Sequence, residues 1–228
     1  MGTNRNTPAL YPYQREGVDW IKGRNFRALL ADEQGLGKTP TALVALHENR
    51  DRLMPAVVVC PTSLVGNWVN EALKWCPKTQ IAVLEGESDD VPPDFDGILL
   101  VGWHILEHYT RKINRWRPNF LIADEAHAVK NDTANRSEAF EALAKRVRHV
   151  LLLTGTPLVN QHADLWALVN VLKPGALGEL KEFRAVCKDD PDRAQAMIEP
   201  YVLRRLFAAT VGDVVPEKRR DVVVVQDS

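Results

Sequence analysis

Short apolar runs punctuate the chain: Ala28-Leu29-Leu30, Pro55 to Cys60, Gln80 to Leu84, Ile98 to Val101, Phe120 to Ala123 and His149 to Leu153. Runs of this length, bounded by polar or turn residues, are what strands buried on both faces of a parallel sheet look like. Between them the spacing turns helical. Leu10 to Ile21 reads as a helix entered through Pro12, with Tyr13, Gly17, Trp20 and Ile21 spaced to face inward. A helix-like stretch, Pro40 to Leu46, follows the first run, and another, capped by Ser63, extends to about Trp75. Further helices are predicted over 137–146 and 163–171, the latter stopped by Pro174-Gly175. Short helices broken at Pro191 and Pro200 then lead to Leu203. Strand and helix in alternation predict an α/β fold, a mostly parallel sheet with helices on both faces.

The candidate chemistry lies where strands end. Ala31 to Thr39 links the first strand to its helix as Asp32-Glu33-Gln34-Gly35-Leu36-Gly37-Lys38-Thr39. A strand, a glycine turn and a helix start are the setting in which Gly-Lys-Thr cradles a nucleoside triphosphate. Gly35 and Gly37 let backbone N–H groups around Leu36 curl toward phosphate oxygens, beside the positive end of a helix. Lys38 then reaches the β and γ phosphates, and Thr39 ligates Mg²⁺ through its hydroxyl. The full template has glycine where Asp32 stands, so an ordinary strand-to-helix turn with a surface lysine stays open on this stretch alone. Phe120 to Ala123 ends in Asp124-Glu125-Ala126-His127, carboxylates at the carboxyl end of a strand, where open α/β sheets bind ligands. Asp124 is suited to a Mg²⁺ shell and Glu125 to orienting an attacking water. Acids favoured at a helix N-terminus are the plainer account.

Together, Asp32 to Thr39, Asp124 to His127 and Leu151-Leu152-Leu153-Thr154-Gly155-Thr156-Pro157-Leu158 closely resemble motifs I, II and III of the Snf-type (Swi/Snf-like) ATPases of helicase superfamily two. That family carries Asp at the place of Asp32. The resemblance extends from about Leu10 to Val225. It implies a RecA-like P-loop lobe over residues 1–206 and a connector over 207–228 leading toward a second lobe. The family's activity is ATP hydrolysis, with Mg²⁺, driving translocation along double-stranded DNA.

By the same resemblance, Gln14 contacts adenine, an amide matching its donor and acceptor edge. Pro61, Thr62 and Ser63 correspond to motif Ia, which grips phosphates of one DNA strand without reading sequence. Thr154 and Thr156 become coupling residues, hydroxyls able to bond the carboxylates and the DNA-holding loops. Tyr201 to Arg205 resembles the stretch that closes the first lobe, and Lys218 to Val225 the strand leading onward. Motifs IV to VI, with the arginine fingers, belong to a second RecA-like lobe supplied in cis or in trans. Arg204 and Arg205 are the places to look for a substitute charge. The family's usual Ser-Tyr is Gly102-Trp103 here, which removes an expected hydroxyl contact. Compactness between motifs resembles the annealing, bacterial and phage branches more than the large remodelers. A non-catalytic module that holds nucleotide and DNA is the alternative function.

A reading from another class is a zinc metallopeptidase, because His104-x-x-Glu107-His108 matches a zinc signature. No downstream third-ligand helix accompanies it. Arg111, Lys112, Arg115, Trp116 and Arg117 read as a solvated helix end, and the acidic run from Glu85 to Asp96 as a solvated connection unsuited to DNA. With 228 residues, 45% hydrophobic and 26% charged, the chain is long enough for one large α/β domain. A net charge of −1 means that nucleic acid must be met by a local surface. Cys60, Cys76 and Cys187 lack metal-like spacing and read as reduced thiols. Neither a membrane span nor a signal-peptide core is apparent, so an intracellular, nucleic-acid-associated protein is expected.

Overall fold

The computed structural model of the chain describes residues 9–86, 89–91, 94–127, 134–156 and 162–211. Its strands are β1 (Arg27–Leu30), β2 (Ala56–Cys60), β3 (Ile81–Leu84), β4 (Ile98–Gly102), β5 (Phe120–Ala123), β6 (His149–Leu153) and β7 (Val202–Leu203). They form one sheet in the order β3-β4-β2-β5-β6-β1-β7, every pair parallel. Alternation along each strand feeds two cores. Val57, Val59, Leu121, Ala123, Val150 and Leu152 enter one; Val58, Cys60, Phe120, Ile122, Leu151 and Leu153 enter the other. Strands β2, β4, β5 and β6 are buried along their whole length. Each such Val or Leu side chain contributes roughly 1.5–3 kcal/mol by leaving water, so these strands fix the scaffold.

The helices are α1 (Pro12–Gly23), α2 (Lys38–Glu48), α3 (Arg50–Leu53), α4 (Val65–Trp75), α5 (Leu106–Trp116), α6 (Ala134–Arg146), α7 (His162–Leu172), α8 (Leu180–Asp189), α9 (Pro191–Ile198) and α10 (Phe207–Val211). Helices α1, α2 and α4 contribute Val18, Leu43 and Trp68 to the β1–Cys60 core, while α5, α6, α7 and α8 contribute Tyr109, Phe140, Leu168 and Phe183 to the other. The α/β architecture with helices on both faces is as expected from the pattern.

Several local expectations are corrected. On α1 the expected inward residues Gly17 and Ile21 are buried, but Tyr13 and Trp20 are half-buried and the buried face is completed by Gln14 and Val18. Trp20 is half-buried, with the Arg24 guanidinium 3.9 Å from its ring centroid. Ser63 makes no cap; a 3₁₀ turn, Thr62–Leu64, precedes α4. Helix α6 starts at Ala134, ahead of the expected 137. Pro191 opens α9, where Asp190 caps through Arg193 N at 3.0 Å. The acidic connection is partly pinned to α5: Lys112 Nζ donates to Asp89 O at 2.6 Å and Trp116 Nε1 to Phe95 O at 2.9 Å. The expected onward strand, Lys218 to Val225, lies outside the described residues, as do Val129 to Asn131 and Pro157-Leu158.

One buried group makes stability depend on pH. His149 is 0% exposed, and its Nδ1 lies 2.8 Å from Asn25 O, so Nδ1 carries the hydrogen. Its Nε2 is buried without a partner among the described residues. Burial, reinforced by Arg52, Arg148 and Arg27, holds its pKa below the ordinary 6.5 against the opposing pull of the Asn25 carbonyl. The unfolded imidazole takes a proton near its ordinary value and the folded one below it. The stabilisation is therefore present above about pH 6.5 and lost as pH falls toward the folded pKa. Thermal melts between about pH 7.5 and 5 are expected to show a falling melting temperature, with a shallower fall in His149→Leu.

Candidate functional site

The loop after β1 rises past the sheet's carboxyl edge into α2. Gly35 and Gly37 have φ of 89° and 75°, in the left-handed region that glycine enters without strain, whereas Asp32 is absent from the positive-φ residues. Glycine is thus not required at Asp32. A Cβ on Gly37 would run into the Gln14 amide. That amide braces the loop: Gln14 Nε2 donates to Leu36 O at 3.2 Å, and Oε1 accepts from Tyr11 N at 3.0 Å. Thr39 stands in the first turn of α2, directly after Lys38.

Lys38 Nζ donates to the carbonyls of Asp32 at 2.8 Å and Glu33 at 3.4 Å, which holds the ammonium at the loop's mouth. Burial lowers its pKa, while Glu125, Asp124 and Asp32 pull it back up. The ammonium is thus half-buried within electrostatic reach of three carboxylates and of the Arg204 guanidinium, which opposes them. The missing Cβ of Gly155, after β6, would lie 3.2 Å from Lys38 Nζ. The ends of β1, β5 and β6 therefore converge on one crevice.

Asp124 is buried, with its N–H on Val59 O at 2.8 Å. Its carboxylate accepts from Trp68 Nε1 at 2.8 Å through Oδ2 and from Glu125 N at 2.9 Å through Oδ1. Burial raises its pKa, Glu125 adds to the rise, and the Trp68 bond and Lys38 oppose it. A buried carboxylate at the end of β5 and a hydroxyl in the first turn of α2 are both oxygen donors of the kind a hard cation such as Mg²⁺ takes. Glu125 sits at φ 48°, a conformation that non-glycine residues adopt at a cost. Its Oε2 lies 3.3 Å from His127 Nδ1 and 3.5 Å from Gly155 N.

The threonines after β6 meet this pair indirectly. Thr154 Oγ1 and Thr156 Oγ1 each lie 3.2 Å from His127 Nδ1, and Thr156 N donates to Thr154 Oγ1 at 3.2 Å. The expected direct bonds from these hydroxyls to the carboxylates are replaced by a path through His127, while Gly155 N approaches Glu125 itself.

Pro61, Thr62 and Ser63 follow β2, with Thr62 and Ser63 exposed. Thr62 Oγ1 lies 2.7 Å from His104 Nδ1. This engages the first histidine of the zinc-like signature with a hydroxyl, and His104 stands in a 3₁₀ turn ahead of α5 instead of on the helix with His108. Among the described residues no group of three or more His, Cys, Asp or Glu is arranged to hold a metal ion. The zinc reading is not favoured.

Three features escape sequence reasoning. Arg205 is not available as a spare charge: its Nε donates to Asp32 Oδ1 at 3.0 Å and Oδ2 at 3.2 Å, and Nη1 to Tyr13 O. The reason is the burial of Asp32, a carboxylate 1% exposed that must be paired or hydrogen-bonded. The exit segment continues this contact, with Glu33 N on Arg205 O at 3.0 Å and Phe207 N on Glu33 Oε2 at 2.6 Å. Trp68 and Trp103 are the other two. Trp103 Nε1 donates to Asp124 O at 2.8 Å, and nothing local in the sequence announces an indole from another strand.

Comparison with known proteins bears on the family and the fold. The family model described as SNF2-related domain matches residues 13–228. "Protein CHROMATIN REMODELING 19" of Arabidopsis thaliana is 32% identical over 246 residues, covering 93% of this chain and 32% of its own length. An "Uncharacterized ATP-dependent helicase" of Mycoplasma pneumoniae is 30% identical over 242 residues, covering 97% of this chain and 23% of its own. Among solved structures, the Sulfolobus solfataricus SWI2/SNF2 ATPase core in complex with dsDNA superposes with a TM-score of 0.81 at 29% identity. That match covers 94% of this chain and 48% of the other, and the shared fold is RecA-like. The chain thus spans about a third or less of these curated relatives and about half of the solved core.

Proposed function

We propose, because this chain belongs to the SNF2-related domain family, that it is the ATP- and DNA-binding first lobe of a DNA-dependent ATPase that moves along duplex DNA. The observation that carries this reading is that Lys38 and Glu125 both lie against Gly155, with Asp124 bonded to Glu125 N, at the carboxyl edge of the sheet. The reading takes residues 1–206 as the lobe and 207–228 as its connector to a second RecA-like lobe, and its setting as intracellular.

In this account the N–H groups from Gly35 to Thr39 wrap the phosphates and Lys38 neutralises the β and γ oxygens. Gln14 contacts adenine, for which its amide must exchange the Leu36 carbonyl for the base. Thr39 and Asp124 would hold Mg²⁺, which would supply positive charge to stabilise the phosphoryl transfer. Glu125 orients the attacking water, its carboxylate held by Gly155 N and His127. Pro61, Thr62 and Ser63 face one DNA strand, and Thr154 and Thr156 couple that surface to Glu125 through His127. The dsDNA partner is supported by the solved relative, which carries dsDNA.

Lys38→Ala tests the reading. Calorimetric titration is expected to show loss of Mg²⁺-ATP binding, with the melting temperature of the free protein nearly unchanged because Lys38 donates to carbonyls at the loop's mouth and fills no core. Equal affinity in both proteins would remove the nucleotide assignment.

A further inference from the structure

The geometry points to Trp68 and Trp103 as positioning residues that carry the state of the DNA-facing turns to Asp124, an inference that rests on reading this lobe as one that binds ATP and DNA. Asp124 belongs to the end of β5, yet both indoles that hold it come from elsewhere. Trp68 lies in the first turn of α4, which follows the Thr62–Leu64 turn without interruption. Trp103 opens the turn after β4 and is followed by His104. The ends of these two strands are register partners, Cys60 with Gly102, and Thr62 Oγ1 to His104 Nδ1 at 2.7 Å ties the turns together on the outside. Inside, Trp68 Nε1 and Trp103 Nε1 end on the carboxylate and the carbonyl of the same residue, each at 2.8 Å.

The arrangement is one stiff unit. Trp68 is 0% exposed and Trp103 4%, so neither ring has room to swing. Thr62 and His104 are exposed and present polar atoms at the outer end, the chemistry that a backbone phosphate accepts. A phosphate engaging Thr62 or His104 competes with their mutual bond and shifts the two turns. The packed indoles pass that shift inward, where either the bonds to Asp124 lengthen or the carboxylate turns. Losing the indole N–H would leave a buried charged acceptor short of a donor, which favours turning with the ring. DNA contact thereby orients the carboxylate proposed to hold the metal.

Indole N–H signals in ¹H–¹⁵N correlation spectra of the whole chain test this directly, with a short DNA duplex as probe and its binding followed in parallel by anisotropy. Trp103→Phe and Trp68→Phe assign the two signals. Both are expected to shift saturably at the midpoint of DNA binding, while the indoles of Trp116 and Trp166, which donate to Phe95 O and Gly178 O, stay in place. Thr62→Val is expected to reduce the Trp68 and Trp103 shifts at saturating DNA, and it alters an exposed side chain, so it keeps the test open should Trp68→Phe not fold. A folded Trp68→Phe is expected to weaken Mg²⁺-dependent nucleotide affinity by about 10- to 100-fold, the usual cost of losing an outer-shell partner. Its Mg²⁺-free nucleotide affinity should not change, whereas a merely structural defect lowers both. DNA that binds without moving these two signals, or that moves all indoles alike, overturns the relay and leaves the lobe's function standing. Absence of DNA binding overturns that function and the relay with it.

Discussion

Arg205→Ala is expected to destabilise the folded chain by about 3–5 kcal/mol, a large share of the roughly 5–15 kcal/mol that holds a domain together. The side chains of Arg205 and Asp32 are 15% and 1% exposed, so the pair is screened by little water. Arg205 grips both carboxylate oxygens and also serves the Tyr13 carbonyl. Removing it leaves a buried anion without its donor, and that desolvation penalty is the larger part of the loss. The double variant Asp32→Ala with Arg205→Ala should cost less than the sum of the single changes, by about 0.5–3 kcal/mol of coupling. Urea unfolding of the set measures both quantities. A single-variant loss below about 1 kcal/mol would mean that Asp32 finds water when its partner is gone.

The same pair shows where sequence reasoning stops. Strands β1, β2, β4, β5 and β6 are legible almost to the residue, because a strand buried on both faces has to be continuously apolar. The placement of Lys38, Asp124 and Glu125 beside the carboxyl ends of β1 and β5 is legible too, since strand ends and turn residues mark it locally. Arg205 is not, because its role depends on β7 lying beside β1. That strand is two residues long and is joined through Leu29 N to Tyr201 O at 2.8 Å and Ala31 N to Leu203 O at 2.7 Å. Backbone bonds at a sheet edge need no apolar pattern. Gln14 was displaced from the predicted inward face of α1 for a related reason: a polar residue reads as outward until its amide is seen spent on Leu36 and Tyr11. Trp68 and Trp103 would be taken from the sequence as packing residues; their N–H groups acquire a purpose only when three strands meet.

Turnover carries the other large effect. In the proposed reaction, transfer of a phosphoryl group to water builds charge that Lys38 and Mg²⁺ would offset only in part, and an arginine typically contributes about 10³ to 10⁵ in rate. Within this lobe Arg205 is committed to Asp32, and Arg204 Nη1 lies 3.4 Å from the Ala31 carbonyl. Both belong to the β1 and β7 edge and are held by backbone or carboxylate. The missing charge is therefore expected from across the cleft. Phosphate release should be followed for the isolated chain over a range of concentrations, with and without duplex DNA, beside the same chain joined to a second RecA-like lobe. The account predicts hydrolysis barely above background from the isolated chain, little response to DNA, and strong DNA-stimulated hydrolysis from the joined protein, silenced by Glu125→Gln without loss of ATP binding. Robust DNA-stimulated hydrolysis by the isolated chain, proportional to its concentration and abolished by Glu125→Gln, would contradict it.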